Sequence, residues 1–118
     1  MNIKVTDYIA GVNEQLQPLM DYIREVIHEA QPEIEENMKW NAPSFEVNGK
    51  IICSLMAFKN HINLVFKNMD PDYAPYANMD VFGEKSRMKG YKQLKSKERL
   101  PEKEVLIKLI HDAIGLSQ

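Results

Sequence analysis

The sequence predicts an α+β fold with two layers, in which N-terminal and C-terminal helices pack on one face of an antiparallel sheet. Near each end of the chain, apolar residues recur at steps of three and four, which is the pattern of an amphipathic helix. Between these segments, short apolar runs alternate with tight-turn signals, as in a β-meander. Helices on either side of a meander are typical of a two-layer α+β domain.

The composition is that of one folded domain. The chain has 118 residues, 44% hydrophobic and 27% charged, close to the average for globular proteins. This length predicts a single domain over residues 1–118. The net charge of −2 gives no overall attraction to nucleic acid or anionic membranes. The N-terminal stretch resembles neither a signal peptide nor a membrane span, so we expect a cytoplasmic protein.

Two helices are predicted before the sheet. Thr6 is the expected N-cap of a short first helix that ends near Gly11. A longer helix follows from Leu16, with Pro18 in its first turn and Pro32 just beyond its end. Its apolar side chains all fall on one stripe, which predicts that this stripe is buried.

The central segments predict a meander. Residues 36–40 alternate as a short strand does, and Pro43 is expected to break its ladder because proline has no backbone N–H. Asn48 and Gly49 lie between two apolar segments, which predicts a hairpin with positive φ at both residues. Residues 61–66 are predicted to form the next strand, after a tight turn at Lys59 and Asn60.

The last third of the chain is predicted to return to the sheet and then form a helix. Residues 68–84 contain two prolines and no clear period, so we expect a loop with one short helical turn. Residues 86–95 are predicted to form the last strand, in which Gly90 marks a bulge or a close approach of two backbones. The closing helix is expected to start at Pro101 and to end at Gly115.

The most specific aromatic cluster lies in KWNAPSF, residues 39–45. Trp40 and Phe45 flank Pro43, so the strand is expected to turn a corner here. Two interpretations stay open at this point. The two aromatic side chains can plug the end of the core, since tryptophan is mostly buried, or they can stack on a ligand.

The chain resembles the YdhG-like family of small bacterial domains over nearly its whole length. The resemblance lies in KWNAPSF, in FKNHINLVF and in GYKQLKSKERLPEKEVLIKLIHDAI. The matching positions are Trp40, Pro43, Phe45, His61 and Phe66, followed by a lysine-bearing strand before the closing helix. The resemblance implies a YdhG-like antiparallel α+β fold. It also implies, for the few members with a role, a frataxin-like chaperone that supplies iron to iron–sulfur cluster or haem assembly proteins.

The N-terminal third offers candidate iron ligands. Up to Glu36 the chain has eight acidic residues against two basic ones. The candidate ligands lie on the outer face of the long helix and just beyond its end: Asp21, Glu25, His28, Glu29, Glu33 and Glu36. Exposed carboxylates with one imidazole suit weakly held, exchangeable iron. The alternative interpretation is an ordinary solvated helix face.

His61 gives a second candidate metal site. A set of one imidazole and carboxylates forms there if the loop that carries Asp70, Asp72 and Asp80 folds back over the sheet. The more ordinary interpretation is a turn histidine that hydrogen-bonds to the backbone.

A basic segment follows. Residues 85–99 hold seven basic residues against one acidic residue. The predicted strip consists of Lys85, Arg87, Lys89, Lys92 and Lys95, with Tyr91 as a candidate stacking platform. Such a strip suits an acidic partner protein. Nucleic acid is disfavoured by the acidic total charge, and a solvated edge strand is the plainer interpretation.

No catalytic constellation is visible, so the sequence does not predict an enzyme. The leading hypothesis is a cytoplasmic, frataxin-like iron-binding chaperone. The rival is a module without metal that binds a small ligand or a protein through Trp40, Pro43, Phe45 and His61.

Overall fold

The computed structural model of the chain describes residues 1–73, 77–84 and 87–118. The helices are α1 (Ile3–Ala10), α2 (Gln17–Ala30) and α3 (Lys103–Ser117), with a short 3₁₀ helix at Lys97–Arg99. The strands are β1 (Glu35–Lys39), β2 (Ala42–Val47), β3 (Lys50–Ala57), β4 (Ile62–Phe66), β5 (Asp80–Val81) and β6 (Lys89–Leu94). They form one antiparallel sheet in the order β1-β2-β3-β4-β6-β5. The predicted α+β fold is confirmed.

The core lies between the helices and one face of the sheet. Cys53 is opposite Phe45 on one side and Phe66 on the other, so these three side chains point to the same face. All three are fully buried and belong to one apolar cluster with Met20 of α2 and Leu109 of α3. The helices therefore pack on a single face, as the sequence predicts. In the described part of the chain, no helix is long and apolar enough to cross a bilayer.

Helix α1 starts one turn earlier than the sequence predicts. Its N-cap is Asn2, whose Oδ1 accepts a hydrogen bond from Lys4 N at 2.7 Å. Thr6 lies inside the helix, where its hydroxyl donates to Asn2 O at 3.3 Å. Asparagine caps a helix at least as well as threonine, so the earlier residue takes this position. Gly11 ends the helix, as predicted.

The longer helices differ in how well their ends are predicted. Helix α2 carries Pro18 in its first turn, as expected. Helix α3 starts two residues after Pro101 but runs through Gly115, so the predicted end is wrong. One reason is that Asn68 Nδ2 donates to Leu116 O at 2.7 Å and satisfies a carbonyl of the last turn.

Two glycine predictions are confirmed. At the β2–β3 turn, Asn48 has φ 53° and Gly49 has φ 78°, as a two-residue hairpin with positive φ requires. Gly90 marks a close approach of β6 to β4. A Cβ atom at this position would lie 1.9 Å from Leu64 O, so no larger residue fits without moving the backbone.

The corner at KWNAPSF lies earlier in the chain than predicted. Strand β1 turns into β2 through Trp40 and Asn41, which have φ 51° and 60°. Pro43 lies inside β2, opposite Met38, so the prediction that it breaks this ladder is wrong. Proline is tolerated there because the pairing of β2 with β3 starts only at Ser44. No carbonyl of β3 therefore needs a hydrogen bond from the backbone N of residue 43.

Strand β6 is not an edge strand, contrary to the sequence interpretation. Within the loop predicted for residues 68–84, Asp80 and Val81 form β5 and pair with β6 on its outer side. Two residues are too short for a periodic pattern to reveal. The segment in which one helical turn is predicted includes residues 74–76, which lie outside the described residues.

Candidate functional site

A buried polar cluster joins α1, α2 and β1. Glu36 is its centre, and its two carboxylate oxygens accept four hydrogen bonds. Arg24 donates from Nε at 2.8 Å and from Nη2 at 2.6 Å, Asn2 N donates at 2.8 Å, and His28 Nε2 lies 2.6 Å away. Arg24 also donates to Thr6 Oγ1 at 2.9 Å and to Asn2 O at 3.1 Å. The cluster fixes the start of α1 against the middle of α2.

The electrostatics of this cluster keep Glu36 ionised. Burial would raise the pKa of Glu36, but hydrogen bonds from Arg24, Asn2 and His28 outweigh it and lower the pKa to about 2. The hydrogen bond to Glu36 in turn raises the pKa of Arg24. An ionised carboxylate accepts hydrogen bonds and donates none, so His28 Nε2 carries the proton that it shares with Glu36.

The cluster lies beneath an acidic groove. This groove is open, has a volume of about 380 Å³, and is lined by His28, Glu33, Glu35 and Glu36, among others. Glu33 and Glu35 are exposed, whereas the side chain of Glu36 is 1% exposed. A carboxylate has about four acceptor positions, and those of Glu36 are already used by protein donors. A cation would have to displace Arg24 or His28 to bind it.

The remaining candidate iron ligands lie on the outer face of α2. Asp21 and Glu25 are exposed. Glu29 is also exposed and forms an ion pair with Lys103 of α3 at 2.6 Å. The six candidates therefore separate into an exposed helix face (Asp21, Glu25, Glu29), a partly buried cluster (His28, Glu36) and an exposed position at the groove (Glu33). Among the described residues, no group of three or more histidine, cysteine or acidic side chains is arranged to hold a metal ion.

The second candidate metal site does not assemble. His61 stacks on Phe58, with ring centroids 4.7 Å apart. Asp70 instead accepts from Asp72 N at 2.9 Å, which closes a local turn. Asp80 accepts from the backbone N of Lys92, on a different strand. The carboxylates of Asp70 and Asp80 thus each have a structural partner other than His61.

The aromatic residues of the YdhG-like motif divide between core and surface. Phe45, Pro43 and Phe66 are buried. Trp40 is 80% exposed at the β1–β2 turn, and its ring has Lys67 Nζ 5.6 Å from its centroid. The interpretation that both Trp40 and Phe45 plug the core is therefore right for Phe45 alone.

The predicted basic strip does not form one surface. Lys85 lies outside the described residues. Lys89 is 2% exposed and donates to Pro71 O, so it is not available to an anion. Arg87, Lys92 and Lys95 are exposed. Lys89 is withdrawn from the strip because its ammonium group contacts the segment before the strand, at Pro71 O.

Tyr91 is a core residue rather than a stacking platform. It is 1% exposed, and its hydroxyl donates to Ala77 O at 2.8 Å. Burial raises the pKa of Tyr91 to about 12. Its aromatic faces are therefore closed to a ligand in this conformation.

Arg24 is the residue of the cluster that sequence reasoning misses. The sequence does hold a signal for it. Arg24 falls next to Ile23 and one turn after Met20, within the buried stripe of α2, and one turn before His28. A charged residue in such a stripe needs a buried partner. The spacing does not reveal that this partner is Glu36 on a strand.

Comparisons with known proteins agree with this fold. The sequence profile of a domain of unknown function, DUF5655, matches residues 5–117. The chain belongs to the DUF5655 family. A crystal structure of YdhG from Bacillus subtilis, a protein of the DUF1801 family, superposes on it with a TM-score of 0.65. The two share 16% sequence identity, and the match covers 92% of this chain and 86% of YdhG.

These comparisons establish the fold of this DUF5655 domain. The YdhG-like architecture predicted from the sequence is confirmed by this structural match. At 16% identity the match shows the fold and carries no conclusion about function. The chain matches no curated protein sequence. Its function therefore has to be argued from its own residues.

Proposed function

We propose that this DUF5655 domain is a recognition module that binds a partner protein through Trp40. The observation that supports this proposal is the position of the side chain. Trp40 is 80% exposed at the tip of a hairpin. Tryptophan is the residue most often found at the energetic centre of protein interfaces, where it fills a pocket on the partner.

The backbone at Trp40 supports the proposal further. Its φ of 51° is in the left-handed region, where a side chain other than glycine or asparagine costs about 1–2 kcal/mol. Two-residue turns of this kind usually carry Asn-Gly or Asp-Gly. A bulky side chain that is exposed and strained contributes little to folding, and strained residues cluster at functional sites.

The base of the hairpin is rigid. Glu46 of β2 is 4% exposed and accepts hydrogen bonds from Asn37 at 3.1 Å and from Ser44 at 3.0 Å. It also forms an ion pair with Lys39 at 3.3 Å. Burial would raise the pKa of Glu46, but these hydrogen bonds and Lys39 outweigh it and lower the pKa. A rigid support reduces the entropy that Trp40 loses on binding.

Affinity capture tests this proposal. The wild-type chain and Trp40→Ser are immobilised and exposed to proteins of the source organism. Ile3→Ser, which removes another exposed apolar side chain, is the matched control. We expect a partner that wild type and Ile3→Ser retain and Trp40→Ser loses, with affinity reduced at least about thirtyfold if Trp40 is a hot spot. Equal retention by all three chains would contradict the proposal.

Iron binding is a second proposal, and one observation favours it. His28, Glu33 and Glu35 line the same acidic groove. Glu33 and Glu35 are exposed, and their side chains would have to rotate to bring carboxylates and the His28 ring together around a cation. Such a site would be weak, because Arg24 lies nearby and repels cations. The frataxin-like delivery of iron to iron–sulfur cluster or haem assembly proteins rests on this binding.

An anaerobic calorimetric titration with ferrous iron tests the second proposal. Glu33→Gln with Glu35→Gln removes two carboxylates from the groove, and Asp21→Asn with Glu25→Gln removes the same charge from the outer face of α2. Loss of saturable binding in the first pair alone would assign iron to the groove. An absence of saturable binding in the wild-type protein would end the iron proposal.

A further inference from the structure

Three grooves adjoin at the end of the sheet where β3 turns into β4. The first lies between α1 and this turn, has a volume of about 560 Å³ and includes Asn13. The second, of about 290 Å³, shares Asn13 with the first. The third, of about 300 Å³, lies along α2 and shares Gln15 and Lys95 with the second. The three grooves thus share lining residues in succession, and the surface that they make up is called the turn channel below.

The turn channel is basic. Lys59, Lys95 and Lys97 line it in succession, against one acidic lining residue, Asp7, at the α1 end. Within the described residues, neither Lys59 nor Lys95 has an ion-pair partner. Lys97 Nζ lies 4.5 Å from the ring centroid of Tyr22. These ammonium groups are therefore available to anions on a bound ligand.

The walls of the channel add apolar and amide groups. Phe58 is 47% exposed beside the first groove. Pro18 and Tyr22 line the third groove, and the amide side chains of Gln15 and Asn60 line the second. An extended peptide suits these walls. Its backbone N–H and C=O groups hydrogen-bond to the amide side chains, and its own side chains point alternately to the two walls.

We propose that the turn channel binds an extended peptide segment, rich in aspartate and glutamate, on a partner protein. Charge complementarity with the three lysines supports this occupant. Single-stranded nucleic acid is the other polyanion that suits a basic channel with aromatic side chains. Here His61 covers one face of Phe58 and Lys97 lies over one face of Tyr22, so each ring has only one face left for a base. The chain also carries a net charge of −2, unlike most nucleic-acid-binding domains.

Fluorescence anisotropy tests the inference with a labelled synthetic peptide of alternating glutamate and alanine. The test variant is Lys59→Glu with Lys95→Glu. The matched control is Lys4→Glu in α1 with Lys50→Glu at the start of β3, two exposed lysines that line none of the three grooves, which gives the same change in net charge. We expect the test variant to bind at least about tenfold more weakly, and the control to bind within about twofold of wild type. Trp40→Ser should bind as wild type does, which separates this inference from the proposed function.

Four results would overturn the inference. The first is an absence of saturable peptide binding to the wild-type protein at low salt. The second is equal weakening in the test and control variants, which would indicate general charge attraction. The third is tighter binding of a thymidine oligonucleotide than of the peptide. The fourth is self-association that the test variant abolishes and the control keeps, which would make a second copy of the chain the occupant.

Discussion

The two ends of strand β1 have opposite environments. At its start, Glu36 is buried and its carboxylate accepts four hydrogen bonds that join three elements. Just beyond its end, Trp40 is 80% exposed on a backbone with positive φ. The charged residue Glu36 is thus buried, and the large aromatic residue Trp40 is exposed. This inversion suggests that one end of the strand anchors the fold and that the other end is kept for binding.

Removing the charge of Glu36, at the buried end of β1, should have the largest effect on the free energy of unfolding. Glu36→Gln removes the charge and leaves Arg24 buried without an ionised partner, because the side chain of Arg24 is 8% exposed. We expect a loss of about 3–5 kcal/mol in the free energy of unfolding. Urea unfolding measures this loss. Glu35→Gln, at the exposed neighbouring position, should stay within about 0.5 kcal/mol of wild type; an equal loss in both variants would contradict the comparison.

Acid should destabilise the folded protein through Glu36 within a defined range of pH. The pKa of Glu36 is lowered from 4.5 to about 2 in the folded state, so its contribution is full above the unfolded pKa and is lost as pH falls towards 2. The expected loss is about 2–3 kcal/mol. Unfolding measured between pH 6 and pH 2, compared with Glu36→Gln, isolates this contribution. Parallel pH profiles for the two proteins would show that Glu36 is not its source.

Relieving the backbone strain at Trp40 should have a smaller effect on the free energy of unfolding, in the opposite direction. Trp40→Asn places a residue that tolerates positive φ at a position with φ 51°. We expect the free energy of unfolding to rise by about 0.5–1 kcal/mol. Thermal and urea unfolding measure this gain. Destabilisation would mean that the indole makes more folding contacts than its exposure indicates.

The contact between Lys67 and Trp40 should matter least for stability. Lys67→Gln removes a cation that lies 5.6 Å from the centre of the indole ring. An exposed cation–π contact contributes about 0.5–1 kcal/mol, so the free energy of unfolding should fall by no more than this. The fluorescence of Trp40 should change at the same time. Lys50→Gln, at an exposed lysine that begins β3, is the control.

The fold is largely predictable because its signals are local. Asn48 and Gly49 determine a turn by their own backbone preferences, and the apolar stripe of α2 identifies its buried face. Pro43 shows where such reasoning fails. A missing N–H breaks a ladder only if a strand is paired on that side, and the pairing of β2 depends on residues far along the chain.

The sites are much less predictable, because their contacts join residues that are far apart in the sequence. Helical spacing places Glu25, His28 and Glu29 near one another, but the partner of His28 is Glu36 on a strand. Likewise, Lys59 and Lys95 line adjoining grooves that share Asn13, and only the tertiary fold makes these grooves neighbours. Local patterns show which residues are available, and tertiary contacts decide which of them are already satisfied.

Collisional quenching of tryptophan fluorescence tests the central claim most directly, because Trp40 is the chain's one tryptophan. Acrylamide quenching is measured on the folded protein and on the protein unfolded in urea. The account predicts nearly equal quenching in the two states and folded-state emission close to that of tryptophan in water, since Trp40 is 80% exposed. Strong protection with blue-shifted emission in the folded state would show a buried indole and would contradict the account.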